Sequence, residues 1–265
     1  MNLTSIQEAL NKAKNILILL PANPNLDKVA ASLALYLSLA KQGKQVLVAC
    51  PSAMTVAFNR LFAIDKVRDR IGNRNLIISF DYVKDSIEKV SYNIENKKFN
   101  LVVEPRAGYS SLKPDKVSYS YSGAESDLIF VIGALKLEDL DKLYFNEKKV
   151  FEKSTTVNID NRVNNTKFGQ VNLVDAQFAS CSEIVTLLIK KFNLPIDQDI
   201  TTNLVAGVEN NTSNFQAPNV SAATFELAAW CLKNGARKGY LAAALKPTSS
   251  VQPPFVTPVP VGSKT

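Results

Sequence analysis

The chain has 265 residues, 46% hydrophobic and 21% charged, an ordinary globular composition for one large domain or two small ones. It carries 31 Lys and Arg against 24 Asp and Glu, a surplus of +7, and no histidine at all. Without imidazole, Ser-His-Asp and Cys-His catalysis are excluded, as is any zinc site that needs a histidine ligand.

Leu3, Ile6, Leu10 and Ala13 recur at helical spacing, which predicts a helix over residues 4–14. The continuous apolar run Ile16 to Leu20 predicts a strand buried on both faces. A loop over Pro21 to Leu26 leads into a helix over 27–42, marked by Val29, Leu33, Leu37 and Ala40 and stopped by Gly43. Val46 to Ala49 is the next strand, and residues 56–61 are expected in a further helix. Strand, helix and strand in short succession begin a doubly wound α/β sheet, mostly parallel.

Residues 75–122 break that rhythm. Alternation over 76–79, 87–94, 99–103 and 117–121, with a turn at Asn96-Lys97-Lys98, predicts an antiparallel β insertion. Tyr92, Tyr109, Tyr119 and Tyr121 there are read as cross-strand pairs, with base stacking as the other use of such rings. The α/β pattern resumes with strands at 128–132 and 156–159, a helix near 137–144, and helices over 180–192, 197–208 and 220–234. Residues 246–265 hold five prolines and predict an extended tail beyond an α/β domain over 1–245.

Of the cationic residues, 24 are Lys and 7 are Arg, so the charge by itself does not mark a nucleic-acid binder. Cys50, Cys181 and Cys231 are far apart and odd in number, which fits buried thiols in a reducing, cytoplasmic setting. No apolar run reaches the length of a membrane span, and the run at 16–20 is read as a strand and not a signal peptide.

In a parallel sheet, function gathers in the loops at the carboxyl ends of the strands. Those loops are expected at Pro21–Asp27, Gly133–Ala134, Asp160–Asn165 and Glu209–Phe215. There, Ala22-Asn23-Pro24-Asn25-Leu26-Asp27 with Ala30-Ala31-Ser32-Leu33-Ala34-Leu35 resembles the first motif of the DHH phosphoesterases. Asn158-Ile159-Asp160-Asn161-Arg162, with Phe168-Gly169, Asn172, Val174-Asp175 and Ser180-Cys181-Ser182-Glu183, resembles the namesake Asp-His-His motif and its sequel. Gly207-Val208-Glu209-Asn210-Asn211-Thr212, with Phe215 and Asn234-Gly235-Ala236, resembles the motif that closes the site. The resemblance runs over residues 15–245 and is nearest to the nanoRNase and oligoribonuclease/PAP-phosphatase branch.

That family cleaves phosphoesters with two Mn²⁺ ions held by Asp and His, and the resemblance carries over position by position. The first-motif His falls on Ala22 and the first Asp on Asn25, while the second Asp is kept as Asp27. The Asp after the middle strand falls near Gly133; Asp160 is kept, but its two His partners are Asn161 and Arg162. The closing Asp falls on Asn211. Asn is a weak neutral ligand and Arg162 sets a permanent cation where a metal belongs, so no metal is expected and Asp27 and Asp160 stand as remnants that pair with Lys28 or Arg162. The family's second, substrate-binding domain, with its Gly-Gly-Gly-His segment, is expected to be absent, with the proline-rich tail in the linker's place.

Three expectations follow. The first is a catalytically degenerate binding or scaffolding domain, its cleft holding a nucleotide or short oligonucleotide through Lys28, Arg162 and Ser213 with Asn25, Asn161 and Asn211. The second is an active phosphoesterase with a site rebuilt from residues such as Glu209 or Asp175. The third is a structural partner, as a homodimer or with another protein, and no reading involves a membrane.

Overall fold

The structure is a computed structural model in which residues 3–72 and 75–238 are described. The expected tail at 246–265 and the domain boundary at 245 lie outside the described residues. Helix α1 (Leu3–Lys12) buries Ile6 and Leu10 and leads into β1 (Asn15–Leu19). Helix α2 (Leu26–Lys41) starts on the Asn25 side chain, which accepts from the Lys28 amide at 3.2 Å. It is closed by Gly43, whose φ of +85° is the left-handed residue that helix ends favour. Strand β2 (Gln45–Ala49) follows.

The helix expected over 56–61 does not form. A single 3₁₀ turn, Val56–Phe58, stands there, because Val56 faces solvent and only Phe58 and Leu61 are buried; a second turn, Ile64–Lys66, follows and is entered through Ala63 at φ 66°. The antiparallel insertion is present, but as two separate ribbons instead of one sheet. Strand β3 (Asn75–Ser79) pairs with β6 (Ser118–Ser122), and β4 (Ile87–Glu95) pairs with β5 (Lys98–Pro105). Asn96 and Lys97, with φ 52° and 63°, make the two-residue turn between β4 and β5.

Strand β7 (Leu128–Ile132) is buried along its whole length. The helix expected near 137–144 is split at Asp141, φ 47°, into a 3₁₀ turn Leu137–Leu140 and α3 (Lys142–Phe145). Then come α4 (Lys148–Lys153), β8 (Thr155–Asp160), β9 (Val171–Val174), α5 (Cys181–Lys191), α6 (Gln198–Asn211) and α7 (Ala222–Lys233).

The main sheet has the order β2-β1-β7-β8-β9 and every pair in it is parallel. Alternate residues of each strand face opposite cores. Ile16, Ile18, Phe130, Ile132, Val157 and Ile159 pack with α1, α2, α5 and α6. Leu17, Leu19, Ile129 and Val131 pack with Leu140, Leu143, Val150 and Phe151 on the other side. This is the doubly wound α/β architecture, and burial on both faces is why the strands read as unbroken apolar runs. The chain leaves β1 toward β2 on one side and returns to β7 on the other. The carboxyl ends of β1 and β7 therefore flank the switch point where such sheets bind ligands.

Candidate functional site

Three of the four expected loops converge at that switch point as strand ends. The fourth, Glu209–Phe215, follows helix α6 and not a strand. It is joined to the others by Asn211, whose amide donates to the Ala179 carbonyl at 2.6 Å and whose oxygen accepts from Asn25 Nδ2 at 3.0 Å. Ser213 is exposed within the turn beyond, where Ser213, Asn214 and Phe215 all hold positive φ (49°, 59° and 66°). Its backbone bond to the Asn210 carbonyl, 3.5 Å, stays inside that turn.

Asp27 sits in the first turn of α2 and is 1% exposed. It does not pair with Lys28. Its Oδ2 accepts from the Cys181 amide at 2.8 Å and its Oδ1 from the Ser182 amide at 3.0 Å, so the carboxylate caps the start of α5. Burial raises its pKa, and the bonds from Ser182 and Cys181 oppose that rise. Gly207 of α6 makes room for this contact: a Cβ there would lie 2.0 Å from Ser182 Oγ and 3.0 Å from Asp27 Oδ1.

Asp160 ends β8, fully buried, and every direction around its carboxylate is taken. Oδ1 accepts from the Asn161 amide (2.8 Å) and Arg162 Nε (2.9 Å). Oδ2 accepts from Arg162 Nη2 (2.7 Å) and Asn165 Nδ2 (2.9 Å). Arg162 Nη2 also donates to the Gly133 carbonyl at 2.7 Å and so ties the end of β8 to the end of β7. Asn161 turns its amide to the Phe178 carbonyl at 3.3 Å.

The aliphatic stem of Lys28 lies over Gly133, with φ +75°, where a Cβ would come within 2.5 Å of it. Gly133 is thus fixed twice, by backbone conformation and by close approach. Among the described residues, no hydrogen bond or ion pair engages the Lys28 ammonium. Its pKa is lowered, first by burial and then by the neighbouring Arg162 cation. Burial, then Asp27, pushes the thiol pKa of the buried Cys181 well up. Ala22 offers only a backbone N–H, spent on the Asp139 carbonyl at 2.8 Å.

A paired Mn²⁺ centre needs a dense set of open anionic or imidazole donors. Here the two carboxylates are saturated by N–H donors, and a guanidinium fills the space beside one of them. The residues present do not fit two metal ions. Among the described residues, no group of three or more Cys, Asp or Glu is placed to hold one, and Asp175 Oδ1 is spent on the Gln177 amide at 2.9 Å.

No family model matches the chain. Over 169 residues, 64% of the chain and 48% of the relative, it is 22% identical to the probable bifunctional oligoribonuclease and PAP phosphatase NrnA of Streptococcus mutans. Over 80 residues, 30% of the chain and 25% of the relative, it is 29% identical to the uncharacterized protein MG371 of Mycoplasma genitalium. A solved exopolyphosphatase-related protein from Bacteroides fragilis aligns with 94% of the chain at a TM-score of 0.66 and 16% identity. The chain carries a DHH-like fold. The likeness is one of fold, and the chain spans 61% of that solved protein and half or less of the two sequence relatives.

Asn158, Asn165 and Asn172 form a network that the motif reading did not single out as a unit. Asn158 Nδ2 donates to Asn165 Oδ1 (2.7 Å) and Asn172 Oδ1 (3.0 Å), and Asn165 Nδ2 donates to the Ala134 carbonyl (2.8 Å). The signal was Asn158 itself. A polar side chain inside an apolar buried strand needs partners.

Proposed function

We propose that this DHH-like domain binds a phosphate-bearing ligand, a nucleotide or short oligonucleotide, in the strand-end cleft without hydrolysing it. The observation that carries the reading is the Lys28 ammonium, a cation without a partner among the described residues, set over Gly133 beside the Arg162 guanidinium. Arg162 is held by Asp160, so Lys28 supplies the uncompensated charge. A phosphate oxygen there would relieve the repulsion between the two cations and restore the ammonium's pKa. The amides of Asn25, Asn161 and Asn211 are spent on protein acceptors and shape the cleft.

Calorimetry with the dinucleotide pApA and with adenosine 3′,5′-bisphosphate, paired with a hydrolysis assay in Mn²⁺, tests the reading. Binding that Lys28→Met abolishes, with no turnover, is the expected result. EDTA-sensitive turnover would point instead to a rebuilt metal site, and binding indifferent to Lys28→Met would remove the cleft from consideration.

A further inference from the structure

A second cavity, of about 710 Å³, lies at the opposite end of the sheet from the cleft. Its walls are the segment Gly123–Ser126, which leads into β7, and the segment from Phe145 to Lys153, which leads into β8. Ser126 Oγ donates to the Asn15 carbonyl at 3.2 Å, so the cavity sits where β1, β7 and β8 begin.

Glu147 is a buried polar group of this lining, 7% exposed. Its Oε2 accepts from the Gly123 amide at 3.1 Å and the Ala124 amide at 3.2 Å, which ties the carboxylate to both walls. Its Oε1 is buried and has no hydrogen-bond partner among the described residues. A buried oxygen left unpaired costs free energy, so this position calls for a donor.

Cations share the lining. Lys149 and Lys153, four residues apart, lie on one face of α4, and among the described residues neither ammonium is engaged in an ion pair or hydrogen bond. Lys148 is engaged, its Nζ 5.8 Å from the Tyr144 ring centroid and 5.7 Å from that of Phe145. Three lysines against Glu125 and Glu147 leave the lining one positive charge in surplus. The Phe145 ring, 51% exposed, adds a flat apolar surface.

We propose that this cavity is a second binding site, for a nucleoside monophosphate whose base carries an exocyclic amino group. Each part of that ligand meets one feature of the lining. The phosphate takes Lys149 and Lys153 as charge-assisted donors. The amino group donates to Glu147 Oε1, as the amino group of cytosine does to a carboxylate side chain. The ring lies on Phe145, because every base has a face that stacks on an aromatic side chain. A single water, at about 30 Å³, would satisfy Glu147 and leave both ammoniums and most of the volume unused. Small-molecule sites run from about 300 to 1,000 Å³, and this cavity falls within that range.

Calorimetry on the full chain with CMP, UMP and cytidine tests this, in the unaltered protein and in Lys28→Met, which removes the free cation of the cleft. CMP is expected to bind in both proteins. UMP is expected to bind about 10-fold more weakly or worse, because its carbonyl sets oxygen against Oε1. Cytidine, which lacks the phosphate, and the Lys149→Met, Lys153→Met double variant with CMP are each expected to show a loss about as large. Glu147→Gln separates recognition from folding. Its amide oxygen can keep the Gly123 and Ala124 bonds while its nitrogen becomes a donor, so the preference should turn toward UMP. CMP binding lost on Lys28→Met would place the nucleotide in the cleft and overturn the proposal. No CMP binding at millimolar concentration, CMP and UMP held equally, or a Glu147→Gln protein that still prefers CMP would overturn it as well. The cleft reading stands or falls separately, on pApA and Lys28.

Discussion

Arg162 reaches back two residues to grip Asp160 with two nitrogens, Nε on Oδ1 at 2.9 Å and Nη2 on Oδ2 at 2.7 Å. The same Nη2 holds the Gly133 carbonyl, so one side chain neutralises a buried carboxylate and fastens two strand ends. The arginine balances the negative charge, yet it offers no open coordination position and no water to activate.

Arg162→Met keeps the stem and removes the charge, leaving Asp160 buried with amide donors alone. Breaking a buried pair costs about 3–5 kcal/mol, and the low end applies because the guanidinium is 34% exposed. Urea denaturation is expected to show a loss of about 3 kcal/mol, with Arg162→Lys recovering only part, since an ammonium lacks the fork. A loss below about 0.5 kcal/mol, the range of ordinary surface substitutions, would mean that the pair does not hold the strand ends.

Gly133→Ala tests the close approach of Lys28. The left-handed backbone at φ +75° costs a residue with a Cβ about 1–2 kcal/mol, and the Lys28 stem at 2.5 Å adds a clash. The two parts separate in a double-mutant cycle with Lys28→Ala, which is expected to remove the clash and leave the backbone strain. Equal losses in both backgrounds would show that Lys28 simply swings aside. The same obstacle opposes Gly133→Asp, which would place an acid where the motif resemblance implies one.

A parallel argument holds across the cleft at Gly207→Ala. The new methyl would meet Ser182 Oγ at 2.0 Å and press on Asp27 Oδ1 at 3.0 Å. Overpacking of this kind typically costs about 1–3 kcal/mol. Combining it with Ser182→Ala is expected to restore part of the loss, and thermal melts of the four proteins give the coupling. Strict additivity would mean that α5 and α6 shift apart without strain.

Much of the frame was legible. Leu128–Ile132 reads as a strand because both of its faces are buried and no polar residue interrupts it. Strand β9 was missed because Val171–Val174 is four residues long and spends Asn172 on the network with Asn158. The helix expected over 56–61 failed because Val56, on which its apolar spacing leaned, is 82% exposed, and only Phe58 and Leu61 there are buried. In the cleft, the motif positions were legible one by one, and Arg162 with Asp160 was a foreseeable pair. Asp27 was not, for it bonds backbone amides 154 and 155 residues away, and a backbone partner leaves no mark in the sequence.

Glu183 gives the chain a pH response that its composition would not suggest. Burial, opposed by the bond from the Ala179 amide, raises this carboxyl from 4.5 to about 7. The folded chain therefore holds a proton between about pH 4.5 and 7 that the unfolded chain releases. The stabilisation is fully present below 4.5 and is lost as pH rises through about 7. With no histidine in the chain, no side chain of ordinary pKa titrates in the upper part of that window. At about 1.4 kcal/mol for each pKa unit, the whole fall is on the order of 3 kcal/mol, and most of it lies between pH 5.5 and 8. Glu183→Gln cannot ionise and its carbonyl still accepts from Ala179, so urea midpoints at pH 5.5 and pH 8 should differ much less in the variant. An identical fall in both proteins would place the titration on another group. Asp27, also raised by burial, would then be the first to replace with Asn.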